Sequence, residues 1–311
     1  MTPNKSFLDT FSPPFKSCYT KTNCFSIGLK MNTNQQKVVK YYTNPETKLG
    51  FDYILWGSKH FGFYPTGKAT ISEKEAQILL QDLVAENLDL NENYVVLDAG
   101  CGQGVVSTYL ARNYTAKIFG ITLVPFEVEK AQERARALGV CDRTKYQVMD
   151  YSSTNFSDNY FDAIYTTETL SHSPDIRITL KEFFRVLKPG GKFAFFEYTL
   201  APDEKFSAWE MKMLSIVIEG SAMMGLKDFR HDQFTEIIKG VGFEGVEEQN
   251  ITENIRPSFY RLHKLSRLPY KIIKLLGLQK FFINTTAGYE YYKMADKGLF
   301  RYCIFTGSKP E

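Results

Sequence analysis

The sequence lacks the usual marks of a membrane-spanning, secreted or metal-binding protein. No apolar run approaches 18 residues, so we expect no transmembrane helix, and the N-terminus has no signal-peptide apolar region. The five cysteines form no Cys-x-x-Cys pair and no His/Cys cluster with zinc spacing, so no metal is predicted. A reduced, cytoplasmic location is the simplest interpretation. The net charge of +3 argues against a nucleic-acid partner.

A glycine-rich segment is the most informative feature that is present. The apolar run 95–97 ends in Asp98, and glycines follow at alternate positions as Gly100, Gly102 and Gly104. Glycine permits positive φ and lets a ligand approach the backbone without a Cβ in the way. The spacing differs from the dinucleotide fingerprint G-x-G-x-x-G, although a dehydrogenase-like turn stays open on this motif alone. Asp-x-Gly-x-Gly-x-Gly resembles motif I of the class I S-adenosylmethionine (SAM) methyltransferases, in which the acid orders the turn; a helix-capping acid is the alternative.

The chain from 94 to 200 alternates between apolar runs and helical spacing, which predicts an α/β fold with a parallel sheet. Helices are predicted at 104–113, 125–138, 175–187, 206–223 and 230–240. We expect a seven-stranded Rossmann-like class I methyltransferase sheet, whose last strand inserts antiparallel. The predicted strands are 94–99, 117–122, 144–148, 161–167, 192–199, 243–249 and 299–307.

Composition divides the chain into four predicted segments. Residues 1–36 are rich in Ser, Thr, Asn and Lys and are predicted to be a flexible N-terminal extension. Residues 37–90 are expected to form a helical lid, and 91–200 the SAM-binding Rossmann-like core. Residues 201–311 contain more chain than the core needs, so we expect a substrate-binding insertion followed by closing strands.

The remaining cofactor residues are predicted from the ends of the strands. Thr122 stands at the end of the second strand, where most Rossmann-like proteins place an acid that binds the ribose. Glu127 and Glu129 in the next helix are expected to be surface residues. The methyltransferase resemblance assigns an adenine-binding role to Asp150, with a surface-loop acid as the alternative. Three further residues are assigned to the same pocket: Leu123, Tyr151 and Thr167.

Glu168 and His172 follow the fourth strand as Glu-x-x-x-His-x-Pro, which closely resembles the sterol C-24 methyltransferases and their isoprenoid C-methyltransferase relatives. Ser12-Pro13-Pro14-Phe15 matches a motif of amino-group methylases, but it precedes every core strand and is interpreted as chance. The sterol methyltransferase resemblance extends over about 37–310 through an upstream double tyrosine, a Trp-Gly and His-Phe run, and several downstream segments.

The resemblance implies C-methylation of an isoprenoid alkene, either a prenyl diphosphate such as farnesyl diphosphate or a sterol-like side chain, through a carbocation and with optional cyclisation. Aromatic faces stabilise cations, and a base must remove a proton. The candidate bases are Glu168, His172 and Glu219. The candidate aromatic and substrate-contacting residues are Tyr42, Trp56, His60, Phe61 and Tyr198. Packing roles remain the alternative for each, as do a small-molecule N-methyltransferase and a SAM-binding protein without catalysis.

The segment between Asn254 and Tyr289 contains seven Lys and Arg residues and no acid. A solvated face is one interpretation. A second is a diphosphate clamp that includes Arg256 and Arg261. A third is an amphipathic surface that contacts anionic lipid, suggested by the apolar residues of 268–278. The expected partners are therefore a small isoprenoid or lipid substrate and, in the third case, a membrane surface, with homo-oligomerisation left open.

Overall fold

The structure is a computed structural model that describes residues 31–311. Its centre is a seven-stranded sheet with the strand order β3-β2-β1-β4-β5-β7-β6. β1 to β5 are parallel, and β7 is antiparallel to both β5 and β6. The predicted fold class and the antiparallel last strand are confirmed. The strands are β1 Val95–Ala99, β2 Lys117–Thr122, β3 Thr144–Val148, β4 Phe161–Thr167, β5 Leu187–Leu200, β6 Glu244–Asn250 and β7 Phe300–Ser308.

Ten α-helices flank the sheet within the described range, and several begin at residues whose side chains cap them. Ser72 caps α3 and Ser207 caps α7 through reciprocal bonds with Glu75 and Glu210, and Asp175 caps α6. The helices are α1 Thr33–Thr43, α2 Pro45–Leu49, α3 Glu73–Asn87, α4 Val105–Asn113, α5 Pro125–Leu138, α6 Ile176–Val186, α7 Ala208–Gly220, α8 Phe234–Lys239, α9 Thr252–Leu275 and α10 Ile283–Asp296.

The core lies on both faces of the central strands. Tyr165 on β4 and Phe193, Phe195 and Phe196 on β5 are fully buried, which explains why these strands are continuous apolar runs rather than alternating patterns. Loops at the carboxyl ends of the parallel strands remain free to form a site, as in other open α/β sheets. No helix of the described residues is long and apolar enough to cross a membrane.

Two parts of the N- and C-terminal segments differ from the predictions. α1 begins at Thr33, inside the segment 1–36 that was predicted to be a flexible extension, because Asn32 and Gln35 form a capping box there. The Ser-Pro-Pro-Phe match at 12–15 lies outside the described residues. Residues 252–296 form the long helix α9 and the helix α10, which pack against each other and were not predicted.

Candidate functional site

The glycine turn connects β1 to α4. Gly100, Gly102 and Gly104 have φ values of +98°, +50° and +73°, a region that favours glycine. A Cβ on Gly100 would lie 2.2 Å from the Oγ1 atom of Thr169. The Gly100 and Cys101 amides both donate to the Ile121 carbonyl at 2.9 Å, which fixes the turn against the end of β2. The sequence therefore needs glycine here for backbone conformation and for close packing.

A cleft lies above this turn at the carboxyl ends of the parallel strands, with about 830 Å³ of space that is partly open to solvent; we call it the donor cleft. Most of the predicted cofactor residues line it: Gly100, Gly102, Thr122, Leu123, Asp150, Tyr151 and Thr167. Gly104 instead begins α4, and Asp98 is buried near the hydroxyls of Tyr165 and Ser107 rather than along the cleft. Burial raises the pKa of Asp98 to about 7.

Glu127 is a buried member of the donor cleft, and the prediction that it is a surface residue is wrong. Its side chain accepts a hydrogen bond from the Thr122 hydroxyl at 2.8 Å and forms an ion pair with Lys59. Pro125 begins α5, so Glu127 lies in the first helical turn and faces back toward the strand ends. A carboxylate is thus available beside β2 although the strand itself ends in threonine. Glu129 is exposed, as expected.

The opposite end of the donor cleft is built around Asp150. Its carboxylate accepts hydrogen bonds from the Ser152 amide and hydroxyl, each at 2.7 Å, and from the Gln35 amide group of α1. Asn34 on the same helix donates to the His172 carbonyl at 3.1 Å. Helix α1 therefore covers the cleft. The Asn34 and Gln35 contacts could not be predicted from short-range sequence patterns.

A larger cavity adjoins the donor cleft, with about 1700 Å³ of space that is partly open to solvent; we call it the apolar chamber. Tyrosine, phenylalanine, leucine and isoleucine make up about half of its lining residues and come from α1, α2, α9, α10, residues 51–61 and β5. Phe61, Tyr198 and Phe259 pack edge to face, with ring centroids 4.7 Å apart for Phe61 and Phe259. Its aromatic lining consists of Tyr41, Tyr42, Phe51, Tyr53, Phe61, Tyr198, Phe259, Tyr291 and Tyr292.

Four residues line both cavities: Tyr42, Lys59, Glu168 and His172. The Lys59 ammonium lies 3.6 Å from the centroid of the Tyr42 ring, a cation–π contact. A reacting group in the chamber and a donor in the cleft would meet at these junction residues. Three of the four belong to the predicted set, and Lys59 was missed.

Glu168 is the carboxyl group of the junction. It follows β4 with a positive φ of 57° and accepts hydrogen bonds from the Phe61 amide at 2.9 Å and from the Tyr302 and Tyr198 hydroxyls. Burial raises the pKa of Glu168 to about 7, and these donors oppose the rise. A carboxyl with a pKa near neutrality can both accept and release a proton at physiological pH.

His172 is held in the neutral form at the junction. Burial lowers the pKa of this imidazole to about 4. Its Nδ1 atom lies 3.2 Å from the Ala222 carbonyl, which can only accept, so Nδ1 carries the proton. The Nε2 atom, 2.8 Å from the Tyr42 hydroxyl, therefore accepts the hydrogen bond. His172 thus orients Tyr42 over the junction.

Besides Asp98 and Gly104, four predicted catalytic or substrate residues lie outside both cavities. The Glu219 side chain is exposed and accepts a hydrogen bond from the Ser215 hydroxyl, and Trp56 is 38% exposed between Lys74 and Arg261. Arg256 forms ion pairs with Glu253 and Asp296, and Arg261 donates to the Ile54 carbonyl. The structure therefore does not bring these four side chains to either cavity, and their predicted roles as base, cation wall and diphosphate clamp stay predictions.

His60 was predicted to contact the substrate, and the structure places it in the other cavity. It lines the donor cleft, not the chamber, and burial lowers its pKa to about 4. Tyr302 and Phe259 were missed, although one donates to Glu168 and the other forms the chamber wall. Both come from the C-terminal region, and only the docking of α9 and β7 brings them to the junction.

Comparison with known proteins agrees with this geometry. The family model described as a methyltransferase domain matches residues 97–195, which include the glycine turn, Glu127, Asp150 and Glu168. The chain carries a SAM-dependent methyltransferase domain. The donor cleft of this domain fits SAM: Gly100 and Gly102 allow close backbone approach, and a Cβ on Gly102 would press against the Lys59 stem at 3.2 Å. The Glu127 and Asp150 carboxylates offer acceptors for ribose hydroxyls and for an adenine amino group.

Two proteins that this chain resembles differ in their named reactions. The chain is 28% identical to the S-adenosyl-L-methionine-dependent Diels-Alderase iccD of Talaromyces variabilis, over 89% of this chain and 96% of that protein. It is 29% identical to 24-methylenesterol C-methyltransferase 2 of Oryza sativa subsp. japonica, over 70% of this chain and 60% of that protein. Among solved structures, the [4+2]-cyclase SpnF superposes with a TM-score of 0.69 and 25% identity, over 89% of this chain and 96% of that one.

Proposed function

We propose that this enzyme methylates an alkene carbon of a bulky, uncharged isoprenoid, such as a sterol-like side chain. The observation that carries the proposal is the position of Glu168, a buried carboxyl that lines both the donor cleft and the apolar chamber. Attack by a neutral alkene creates positive charge at the place where this carboxyl and several aromatic rings meet. The named reaction of the sterol methyltransferase relative supports the same choice.

The charges of the chamber favour a cationic intermediate over an anionic substrate. Its ionisable side chains include the carboxyls Glu46 and Glu168 and the neutral His172, and its lysine, Lys59, is paired with Glu127. A diphosphate needs several unpaired cations or backbone donors, whereas Arg256 and Arg261 point elsewhere. We therefore favour the sterol-like substrate over the prenyl diphosphate.

When bound, SAM supplies the methyl group: the alkene π electrons form the new C–C bond as the S–CH₃ bond breaks, leaving S-adenosylhomocysteine and a carbocation. The rings of Phe61 and Tyr198 line the chamber and stabilise positive charge there, whereas the Tyr42 ring already contacts the Lys59 ammonium. Glu168 in its carboxylate form accepts the proton lost from the carbon next to the cation, and the electrons of that C–H bond restore an alkene.

The test is incubation with ¹³C-methyl SAM and a panel of lipophilic alkenes, followed by NMR of the product. The proposal expects the labelled methyl on carbon, with one molecule of S-adenosylhomocysteine released for each product. Label on nitrogen would favour an amine methyltransferase, and label on oxygen would favour an O-methyltransferase; either result overturns C-methylation.

A second candidate is a [4+2] cyclisation in which SAM is bound but not consumed. It is supported by the Diels-Alderase relative and the [4+2]-cyclase structure, since each is matched over 96% of its length, against 60% for the sterol methyltransferase. In such a reaction a diene and an alkene form two C–C bonds, and no atom is gained or lost. An isomer of the substrate with the same mass, formed without S-adenosylhomocysteine release, would identify this activity.

A further inference from the structure

The exposed side of α9 and the turn after it carry an unusual concentration of large apolar side chains. Leu265, Leu268, Ile272 and Leu275 recur every three or four residues, so they form one stripe along the helix. Leu268 is 71% and Leu275 is 86% exposed. Leu276, Phe281 and Phe282 extend the exposed apolar surface beyond the end of the helix. We call these seven residues the apolar stripe.

A second stripe of positive charge runs beside the first. Lys264, Arg267, Lys271 and Lys274 follow the same helical spacing, and Lys280 continues the row. All five are exposed, and none forms a salt bridge within residues 31–311. The buried side of α9, with Tyr270 and Ile273, faces the protein. The helix therefore presents three faces: one packed on the protein, one apolar and one cationic.

The apolar stripe is continuous with the mouth of the apolar chamber. Leu265 belongs to both the stripe and the chamber lining, and Leu49 and Tyr53 across the opening are 59% and 76% exposed. A ligand that leaves an apolar phase at this surface would enter the chamber without crossing water. Delivery of substrate through this mouth rests on the proposed lipophilic substrate. Binding of a membrane by the apolar stripe does not.

We propose that this face binds the surface of an anionic lipid bilayer, with the apolar stripe inserted at the headgroup boundary and the cations on lipid phosphates. Apolar residues on one side and Lys/Arg on the next are the pattern of helices that lie in a membrane interface. The segment between Asn254 and Tyr289 contains basic residues and no acid, so its charge complements an anionic membrane better than a protein surface of mixed charge.

The test is flotation of the purified full chain with phosphatidylcholine vesicles, with and without phosphatidylglycerol. We expect binding to the anionic vesicles that is weakened by salt. A Leu275→Glu and Leu276→Glu double variant and an Arg267→Glu and Lys271→Glu double variant should each bind at least about tenfold more weakly. None of these four residues lines a cavity, so SAM binding measured by calorimetry should be retained.

The matched control is an Ile178→Glu and Lys181→Glu double variant on α6, where an exposed isoleucine and an exposed lysine lie away from α9. It should bind vesicles as the unmodified protein does. The proposal is overturned if the unmodified protein does not float with anionic vesicles, or if the control variant loses as much binding as the α9 variants. A dimer that the α9 substitutions dissociate, without vesicle binding, would assign the face to a second copy of the chain instead. These readouts do not require turnover, so they are separate from the test of the reaction.

Discussion

Glu168 and Glu197 are buried carboxyl groups near the carboxyl ends of the neighbouring strands β4 and β5. Their different surroundings indicate different roles. Glu168, after β4, is reached by three donors and faces both cavities. Glu197, in β5, accepts the Thr169 and Leu170 amides at 2.6 and 2.5 Å and lines neither cavity. Glu168 is therefore placed to exchange a proton with a substrate, whereas Glu197 holds the loop that carries His172.

We expect Glu168→Gln to lower kcat by about 10²- to 10⁴-fold, because glutamine keeps the hydrogen bond from the Phe61 amide but cannot accept a proton. SAM affinity should change little. Since the base acts as a carboxylate and its pKa is about 7, kcat/KM of the unmodified enzyme should rise with pH through about 7. The variant should lack that rise. Glu219→Gln is the control, since Glu219 is exposed; an equal loss in both variants would contradict the assignment.

Glu197→Gln should make stability less dependent on pH. Burial raises the pKa of Glu197 to about 8, above its ordinary value, so the folded protein keeps a proton that the unfolded chain releases. Stability is therefore lost as pH rises through 8, by about 1 kcal/mol between pH 7 and pH 9 for this one group. Denaturant titrations at the two pH values measure the loss. Between the two pH values, the Glu197→Gln variant should lose less stability than the unmodified protein, by that amount. The Glu92→Gln variant, changed at an exposed residue, should behave as the unmodified protein. Identical pH slopes in all three proteins would refute the role of burial.

At the scale of elements, α1 covers the donor cleft through contacts with its far wall. Asn34 and Gln35 bridge to the far wall of the donor cleft, and the buried Val38 lines the same cleft. A ligand that binds only the folded cleft stabilises this closed arrangement.

We expect S-adenosylhomocysteine, at about ten times its Kd, to slow tryptic cleavage at Lys37 and Lys40 about tenfold, because cleavage inside a helix requires local opening. Mass spectrometry of the fragments measures the two rates. Cleavage at Lys239 on α8, away from the cleft, serves as the control and should not change. Unaltered cleavage of α1 would show that it is not coupled to the cleft.

The sequence predicts elements well where a local pattern determines them. The bounds of β2, β3, β4 and α5 agree with the predicted residues. Largely buried runs mark β2 and β4, and a Pro start with a Gly stop marks α5. α9 contains Pro257 and Pro269, which are ordinarily helix-breaking signals, and its 24 residues were not predicted as a helix. Packing against α10, rather than local preference, accounts for this element.

The same difference applies to the site. The glycine turn, Asp150, Glu168 and His172 are short local motifs that follow strands, so their position at one sheet edge could be predicted. Glu127, Gln35 and Tyr302 could not, because their contacts depend on how the first turn of α5, helix α1 and the distant strand β7 dock at that edge. The pairing of Arg256 shows both cases: Glu253 is three residues away in sequence, whereas its second acidic partner, Asp296, is 40 residues away.

At the scale of the whole molecule, the donor cleft and the apolar chamber have different chemistry and meet at four residues. The donor cleft belongs to the sheet edge and the glycine turn. The apolar chamber belongs mainly to elements outside the sheet, namely α1, α2, α9 and α10. Binding of the two ligands should therefore be separable by mutation, with substrate size set by the helices and SAM affinity set by the sheet.

Ala287→Trp tests this separation. Ala287 is on α10 and lines the chamber but not the donor cleft, so an indole there fills space that a bulky substrate needs. We expect kcat/KM for a sterol-sized alkene to fall at least about tenfold, since overfilled packing costs about 1–3 kcal/mol. A short alkene should be affected less, and S-adenosylhomocysteine affinity by calorimetry should be unchanged. Lys293→Trp places the same side chain at an exposed position of α10 outside the chamber lining and should leave all three values as they are. Equal losses for large and small alkenes, or loss of S-adenosylhomocysteine binding, would mean that the two cavities do not act as separate sites.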